Sequence, residues 1–247
     1  MKKIRLEEYK SYNVYYNMFD SYIKNNGIKK QALFDRLNIS FTSYTRCSKN
    51  NTKTTKEIYL KLCKEFDFIP LDLKRNVEIE ERLNEIYYSI YYKFNRDYIG
   101  DIEWLNSIIR EKYTLYPILL LFKVFIYITI TPPNKLLSEY ANLFEEIKRY
   151  KAFFLNELYE IYLLVELVFI RDPKAFNKAY DNDLINQMLA TLYYLNDEYN
   201  TALVYALKAE ADFINNKNHI RAIMTDLTII ACYNSCEEYK KAFNLAV

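Results

Sequence analysis

Apolar side chains recur at helical spacing through most of this 247-residue sequence, and few residues interrupt the pattern. Only 2 glycines and 5 prolines occur, so the residues that break helices and form tight turns between strands are scarce. The hydrophobic fraction of 51% supplies enough apolar surface for a sizeable core. These features predict an all-α protein with one large or two modest domains.

Residues 29–68 predict three short helices joined by tight connections. Leu33 and Leu37, four residues apart, form the apolar side of the first helix. Residues 38–40 then make a turn, and the hydroxyl of Ser40 is placed to cap the second helix. The second helix is expected to point Tyr44 and Cys47 inward and Phe41, Thr42, Thr45 and Arg46 outward.

The third helix of this segment is predicted from its capping residues. Thr54 and Glu57 have the spacing of a capping box, so Thr54 is expected to begin the helix. Its buried stripe would consist of Ile58, Leu62 and Phe66. A short helix, a turn, a short polar-faced helix and a capped helix is the order found in a helix-turn-helix.

One more helix is predicted before this segment, and it would brace the three short helices. Gly27 suits the left-handed backbone position just after a helix ends. The inward side chains of this first helix are expected to be Tyr15, Tyr16, Phe19 and Ile23.

Charge divides the sequence into two parts. The first 77 residues contain 16 basic and 8 acidic side chains, a net charge of +8, and the remainder contains 18 and 24, a net charge of −6. A basic N-terminal part is what binding to a phosphate backbone requires, and an acidic remainder would repel that backbone. Pro70 is expected to stop the third short helix, and a brief linker to about residue 76 follows. We therefore predict a helix-turn-helix domain at residues 1–72 and a helical-repeat domain at residues 77–247.

Residues 33–46, LFDRLNISFTSYTR, resemble the core of the Cro/phage-repressor type of DNA-binding domain. In that pattern a turn residue, an aliphatic residue and a Ser or Thr precede the recognition helix. This sequence departs from it at Lys30, where Gln is usual, and at Phe41, where a polar base reader is common. A helical hairpin that never touches nucleic acid remains an alternative.

The resemblance implies a role for each residue that matches the motif. Base edges in the major groove would be contacted by Phe41, Thr42 and Arg46. Phosphates would be bound by Lys30, Ser40 and Ser43, and by Lys49 and Lys53 in the loop that follows.

Beyond residue 77 the apolar pattern predicts one amphipathic helix after another, joined by connections of a few residues. Such short connections imply antiparallel neighbours. The most apolar run, Tyr116 to Ile130, is interrupted by Lys123 and is shorter than the roughly 20 residues that cross a bilayer. This run is therefore predicted to be a buried helix.

The C-terminal third contains an internal repeat with an offset of 40 residues. The pattern Tyr193, Asp197, Glu198, Tyr199 and Ala202 recurs as Tyr233, Glu237, Glu238, Tyr239 and Ala242. Small and aromatic residues also look like the packing positions of a tetratricopeptide helix pair, at Leu189, Ala190, Tyr193, Ala202 and Ala209. A plain helical bundle with a chance match is the alternative.

A helix-turn-helix followed by tetratricopeptide-like repeats resembles the RRNPP group of Gram-positive peptide-sensing regulators. Residues 199–242 look much like the C-terminal repeats of those receptors. The resemblance implies that the helical body forms a homodimer and binds a short imported signalling peptide on its concave face. By the phase of the repeat, the residues facing that peptide are Gln187, Thr191, Tyr194 and Asn234.

Several classes of function are not supported by the sequence. With Gly27 and Gly100 as the only glycines, neither a P-loop nor a dinucleotide-binding glycine motif can form. The single histidine, His219, is too few for a zinc protease motif, and we expect no enzyme activity, cofactor or metal. Reduced core thiols in a cytoplasmic protein are expected at Cys47, Cys63, Cys232 and Cys236.

The sequence thus predicts a cytoplasmic, dimeric regulator that binds double-stranded DNA specifically and senses a short signalling peptide, without contact with a membrane. Two alternatives stay open. One is a helical-repeat adaptor whose helix-turn-helix has become a protein contact. The other is a DNA-binding regulator that has no small ligand.

Overall fold

The computed structural model describes residues 3–70, 72–93, 96–176 and 182–246. Apart from one isolated bridge between Ile69 and Tyr113, the regular structure in these ranges is helical, and the predicted all-α class is confirmed. The α-helices of these ranges are α1 (Tyr15–Asn25), α2 (Lys30–Leu37), α3 (Phe41–Cys47), α4 (Lys53–Phe66), α5 (Leu73–Tyr92), α6 (Tyr98–Arg110), α7 (Tyr116–Ile130), α8 (Pro133–Lys148), α9 (Asn156–Ile170), α10 (Asp183–Leu195), α11 (Tyr199–Asn215), α12 (His219–Ser235) and α13 (Tyr239–Ala246).

The chain forms two compact units. The first contains residues 2–86 and 97–162, and the second contains residues 87–96 and 163–247. The basic N-terminal segment therefore shares its unit with helices α6 to α8, and the predicted division into domains between residues 72 and 77 stays a prediction.

Helix α1 supplies much of the core around the basic segment. The predicted inward side chains, Tyr15, Tyr16, Phe19 and Ile23, are all buried. The ring of Phe19 lies 6.1 Å from that of Phe66 and 6.2 Å from that of Phe68. Gly27 follows the helix with a φ of +63°, so its predicted left-handed conformation is confirmed.

The turn before α3 is formed as the sequence predicts. The Oγ of Ser40 accepts a hydrogen bond from the backbone N–H of Ser43 at 3.0 Å, which confirms the cap. Asn38 ends α2 in the left-handed conformation, with a φ of +50°. In α3 the buried side chains are Tyr44 and Cys47, and the exposed ones are Phe41, Thr42, Thr45 and Arg46, as predicted.

The predicted start of α4 is wrong by two residues, because Thr52 and not Thr54 caps this helix. Thr52 Oγ1 accepts from the N–H of Thr55 at 3.3 Å, and the N–H of Thr52 donates to Thr55 Oγ1 at 2.9 Å. A threonine at the third helical position thus completes the capping box in place of the expected Glu57. Thr54 lies exposed in the first turn.

Hydrogen bonds over long sequence distances hold the N-terminal residues within the first unit. The hydroxyl of Tyr9 donates to the carbonyl of Phe153 at 2.8 Å and accepts from the N–H of Leu155 at 2.9 Å. The side-chain amide of Asn84 pairs with both the N–H and the carbonyl of Ile4, each at 2.9 Å. These bonds satisfy buried polar groups, so they fix one arrangement of the segment.

Helix α7 matches the predicted apolar run, and most of its side chains are buried in the first unit. Burial on all sides explains why the run lacks a polar face. No helix in the described ranges combines the length and the apolarity that crossing a membrane requires.

The second unit repeats one connection between helices. Asp197 after α10 and Glu237 after α12 both have a φ of +61°. The N–H of Glu198 donates to the carbonyl of Tyr193 at 3.0 Å, and that of Glu238 donates to the carbonyl of Tyr233 at 2.8 Å. The same turn also ends α11, where Lys217 has a φ of +57° and the N–H of Asn218 donates to the carbonyl of Phe213 at 2.8 Å, so it is shared by three successive helices and does not by itself distinguish the 40-residue repeat.

Small residues line the contact between the helices of this unit. Ala190, Ala206 and Ile229, from α10, α11 and α12, form one buried cluster. Ala202 and Ala242, which correspond in the repeat, are both buried. Alanines at these positions let neighbouring helix backbones approach closely.

Candidate nucleic-acid interface

The outward face of α3 combines one aromatic, two hydroxyl and one guanidinium group. Phe41 is 57% exposed, and the centre of its ring lies 6.2 Å from that of Phe34. Thr42 and Arg46 lie exposed one turn apart, as side chains four residues apart on a helix do. The hydroxyl of Thr45 donates to the carbonyl of Phe41 at 3.0 Å, so this hydroxyl is used within the helix.

Basic side chains continue from the end of α3 into the start of α4. Arg46, Lys49 and Lys53 are exposed, and none of them forms an ion pair within the described part of the chain. Unpaired exposed cations are free to bind an external anion. We call these three residues the basic edge.

Other cations near α3 are already paired inside the fold. Arg36 of α2 forms an ion pair with Glu65 of α4. The ammonium of Lys61 donates to the carbonyl of Leu37 at 2.9 Å, at the end of α2. The charges of Arg36 and Lys61 are therefore already used within the fold, in contrast to those of the basic edge.

Lys30 lies in an arrangement that the sequence did not suggest. Its ammonium is 2.7 Å from the Asp20 carboxylate and 4.6 Å from the centre of the Tyr44 ring. It also lies 5.8 Å from the centre of the Phe41 ring. The charge of Lys30 is thus partly opposed by Asp20 before any phosphate approaches.

Asp20 also accepts a hydrogen bond from the hydroxyl of Tyr44, which is only 2% exposed. Burial first, and then the bond to Asp20, raise the pKa of Tyr44 well above its usual range. Asp20 therefore links α1 to the buried side of α3. Sequence reasoning missed this residue because a single aspartate on a helix gives no pattern.

The two serines predicted to bind phosphate are engaged with each other. Ser40 Oγ donates to Ser43 Oγ at 2.7 Å while it accepts the N–H of Ser43. Their hydroxyls thus serve first to hold the start of α3, and Ser40 is exposed.

Of the residues predicted to face a peptide, Gln187 is the most engaged. Its amide donates to Thr225 Oγ1 at 2.9 Å, and its carbonyl oxygen accepts from Arg221 Nη1 at 2.8 Å. The hydroxyl of Thr191 donates to the backbone carbonyl of Gln187 at 3.0 Å, and its side chain is exposed. Gln187 and Thr191 therefore lie together on α10.

The other two predicted peptide residues are not brought into contact with Gln187. The ring of Tyr194 lies 5.5 Å from that of Tyr199. Asn234 is exposed near the end of α12, about two and a half turns beyond Thr225.

A buried polar cluster adjoins Gln187, and sequence reasoning did not identify it. Arg221 is 9% exposed and donates to the carbonyls of Ile90 at 2.7 Å and Tyr91 at 3.1 Å. Asn218 also donates to the carbonyl of Tyr91, at 2.8 Å. These groups satisfy the last carbonyls of α5, where a helix leaves acceptors without partners.

The cysteines are free thiols, and Cys47, Cys63 and Cys232 are buried, as expected of core thiols. Cys236 is only partly buried, so the prediction that it is a core thiol is wrong. Burial raises the pKa of Cys63 to about 12 and that of Cys232 to about 11. In the ranges that the structure describes, no group of three or more His, Cys, Asp or Glu side chains could hold a metal ion.

Comparisons with known proteins return nothing: no protein-family model, no curated protein and no solved structure matches this chain. The candidate interface is therefore defined by its own geometry, an exposed α3 face that includes Arg46 and is bordered by Lys49 and Lys53, none of which pairs with an acidic group among the described residues.

Proposed function

We propose that this protein is a transcription regulator that binds double-stranded DNA through α3. The observation that carries the proposal is the combination of an exposed α3 face with the basic edge of Arg46, Lys49 and Lys53. Phe41 is suited to contact a thymine methyl, and the guanidinium of Arg46 is suited to bind a guanine edge. Lys49 and Lys53, which follow the end of α3, would bind phosphates.

The charge of the chain supports this proposal. The net +8 of the first 77 residues attracts a polyanion, while the net −6 of the remainder repels it. This asymmetry would restrict DNA contact to the basic segment. It also gives the binding a strong dependence on salt, because each phosphate that is neutralised releases counterions.

The experiment is fluorescence anisotropy of the purified full chain with duplex DNA from the region upstream of its own coding sequence. The duplex is titrated at several salt concentrations and competed with unlabelled duplex of the same and of random sequence. Tight binding that only the same sequence displaces supports a specific regulator. No binding at low salt would exclude the proposal.

The proposal includes a homodimer in the cytoplasm whose helical-repeat body senses a short peptide. Two-fold symmetry in a regulator matches paired half-sites in DNA.

Support for the peptide site comes from Thr191 and Asn234, which are exposed and polar, and from the repeated helix ends in the second unit. Gln187 contributes less, because its amide is already used by Thr225 and Arg221. Titration of the DNA complex with synthetic peptides encoded beside the gene tests this part, and unchanged DNA affinity would contradict it.

An adaptor function is the second candidate, and one observation favours it. Four apolar side chains of α12 are exposed at spacings of three and four residues, which makes one continuous stripe. They are Ile220, Ile223, Met224 and Leu227, exposed by 49%, 63%, 42% and 65%. An exposed apolar stripe on a helix is typical of a surface that binds another protein. Failure to bind any duplex at low salt, with the protein folded, would favour this candidate.

A further inference from the structure

A cavity of about 290 Å³ lies within the first unit, where α1, α7 and the end of α8 meet two connecting segments. Four aromatic side chains line it, namely Tyr22, Phe68, Tyr116 and Tyr150. The ring centres of Tyr22 and Phe68 are 5.2 Å apart, and those of Tyr116 and Tyr150 are 6.1 Å apart. Both pairs meet nearly edge to face, which leaves ring surface available to a planar guest.

The charged groups of this cavity differ in how far they are already paired. Lys112 lies 3.5 Å from Asp67, and Glu146 accepts a hydrogen bond from the hydroxyl of Tyr116. The side chain of Arg149 forms no hydrogen bond or ion pair with the described residues. Arg149 is therefore the cation that remains available to a ligand.

The phenol of Tyr150, beside Arg149, is a neutral hydrogen-bond donor. Burial, and then the neighbouring Glu146, raise the pKa of Tyr150 to about 12, although Arg149 acts in the opposite direction. The phenol of Tyr150 is thus protonated at neutral pH and can donate a hydrogen bond. Burial also raises the pKa of Glu146, which makes its negative charge less favourable in this place.

Backbone contacts fix the segments that form the cavity. The N–H of Ile69 donates to the carbonyl of Lys112 at 3.1 Å, and the N–H of Thr114 donates to the carbonyl of Ile69 at 3.2 Å. At the end of α1, the side-chain amide of Asn26 donates to the carbonyl of Tyr22 at 2.8 Å. A ligand would therefore enter a cavity whose walls are already formed.

We propose that this cavity binds a small aromatic carboxylate, a class of ligand that is neither nucleic acid nor peptide. The ring would pack against the aromatic walls, and the carboxylate would accept hydrogen bonds from the guanidinium of Arg149, whose planar shape fits two carboxylate oxygens. A cationic ligand is disfavoured because Lys112 and Arg149 outnumber the single carboxyl group of Glu146.

Three probe molecules test this proposal by isothermal titration calorimetry on the full chain. 4-Hydroxyphenylacetate has the ring and the charge, its amide has the ring alone, and hexanoate has the charge alone. We expect the first to bind at least about tenfold more tightly than either of the others, since a hydrogen bond to a charged group is worth that factor or more. No binding of 4-hydroxyphenylacetate at millimolar concentration, or equal binding of the amide, overturns the proposal.

Two substitutions with opposite expected effects separate recognition from general damage to the fold. Arg149→Gln should weaken the binding of 4-hydroxyphenylacetate by about tenfold. Because Arg149 is exposed, the variant should remain folded. Glu146→Gln removes the nearby negative charge and should increase the affinity for the same probe. Arg110→Gln changes an exposed arginine at the end of α6 outside this cavity and should leave the affinity unchanged. Equal affinity in Arg149→Gln and the unsubstituted protein would refute the role of Arg149.

Discussion

At the scale of single residues, Arg46 is the side chain best placed to give sequence preference. It is exposed and unpaired in the described structure, so Arg46→Ala should leave the fold intact. We expect the variant to lose about 1–3 kcal/mol of binding free energy on the preferred duplex and far less on random DNA. Anisotropy with both duplexes measures this difference, with Arg110→Ala as a control at another exposed arginine. Equal losses on the two duplexes would show that Arg46 contacts phosphates and not bases.

Asp20 is a second residue whose importance appears only in the structure. Asp20→Ala should destabilise the fold by about 1–3 kcal/mol, because it leaves the buried hydroxyl of Tyr44 with only a long hydrogen bond, of 3.5 Å, to the carbonyl of Tyr16. The exposed ion pair with Lys30 adds little to that loss.

Urea unfolding of Asp20→Ala, Tyr44→Phe and the double variant measures this interaction. The double variant should lose less free energy of unfolding than the sum of the two single losses, since both substitutions remove the same hydrogen bond. Asp35→Ala, at an exposed carboxylate of α2, is the matched control and should change stability by less than about 0.5 kcal/mol. Strictly additive losses would mean that the bond contributes nothing.

The cysteines should differ sharply in reactivity. Cys236 is partly exposed, whereas Cys47, Cys63 and Cys232 are buried. Because the thiolate is the reactive form, the pKa values of about 12 for Cys63 and about 11 for Cys232 leave almost none of it at neutral pH. A colorimetric thiol assay of the native protein should therefore detect Cys236 rapidly, and the other three only after denaturation. Cys236→Ser should remove the rapid phase, and a rapid phase that persists would contradict the assignment.

At the scale of the helices, local patterns predict where elements lie better than how their side chains pair. The apolar run at α7 and the cap at Ser40 were predicted correctly, because both depend on residues close in sequence. The start of α4 was missed because Thr52 and Thr54 are both suitable caps, and the choice depends on which hydroxyl meets Thr55. The partners of Lys30 and Gln187 come from other helices, so no local pattern could have revealed them.

The ends of the helices carry a further prediction, which follows from the scarcity of glycine. Lys217 after α11 and Glu237 after α12 have φ values of +57° and +61°, a conformation that costs a residue with a Cβ about 1–2 kcal/mol. Glycine relieves this strain but gains about 0.4–1 kcal/mol of entropy in the unfolded chain. Lys217→Gly and Glu237→Gly should therefore each stabilise the protein by about 0.5–1 kcal/mol in urea unfolding.

A substitution inside a helix provides the control for this effect. Ala211→Gly changes an exposed position within α11, one turn before its end, and should destabilise the protein by about 1 kcal/mol. Stabilisation by glycine at all three positions, or at none, would show that backbone strain at the helix ends is not the cause.

At the scale of the whole molecule, α1 connects the two sites proposed in the first unit. Asp20 bonds to Tyr44 of α3, and Tyr22, two residues later, lines the aromatic cavity. A ligand that restricts the end of α1 would therefore act on the helix that supports the DNA-binding face. The sequence alone could not link these sites, since the cavity also requires residues from α7 and α8 that lie far away in the chain.

The distribution of charge over the molecule leads to the last prediction. If DNA contacts only the basic segment, the salt dependence of binding should depend on the lysines of that segment and not on lysines elsewhere. Lys49→Gln and Lys53→Gln should each reduce the slope of log affinity against log salt by about 0.9, the value for one phosphate contact. Lys217→Gln, at an exposed lysine in the acidic remainder, should leave the slope unchanged.

Lys30 gives this experiment its sharpest comparison, because it is basic and near α3 but differs in its surroundings. Its charge is already opposed by Asp20 at 2.7 Å, so Lys30 should contribute less to the release of counterions on DNA binding than an unpaired lysine does. We therefore expect Lys30→Gln to change the slope by less than Lys49→Gln does. Asp20→Asn frees the ammonium of Lys30, and in that background Lys30→Gln should have the full effect. If Lys30→Gln changes the slope as much as Lys49→Gln does while Asp20 is unchanged, then Lys30 leaves Asp20 and binds a phosphate when DNA is present.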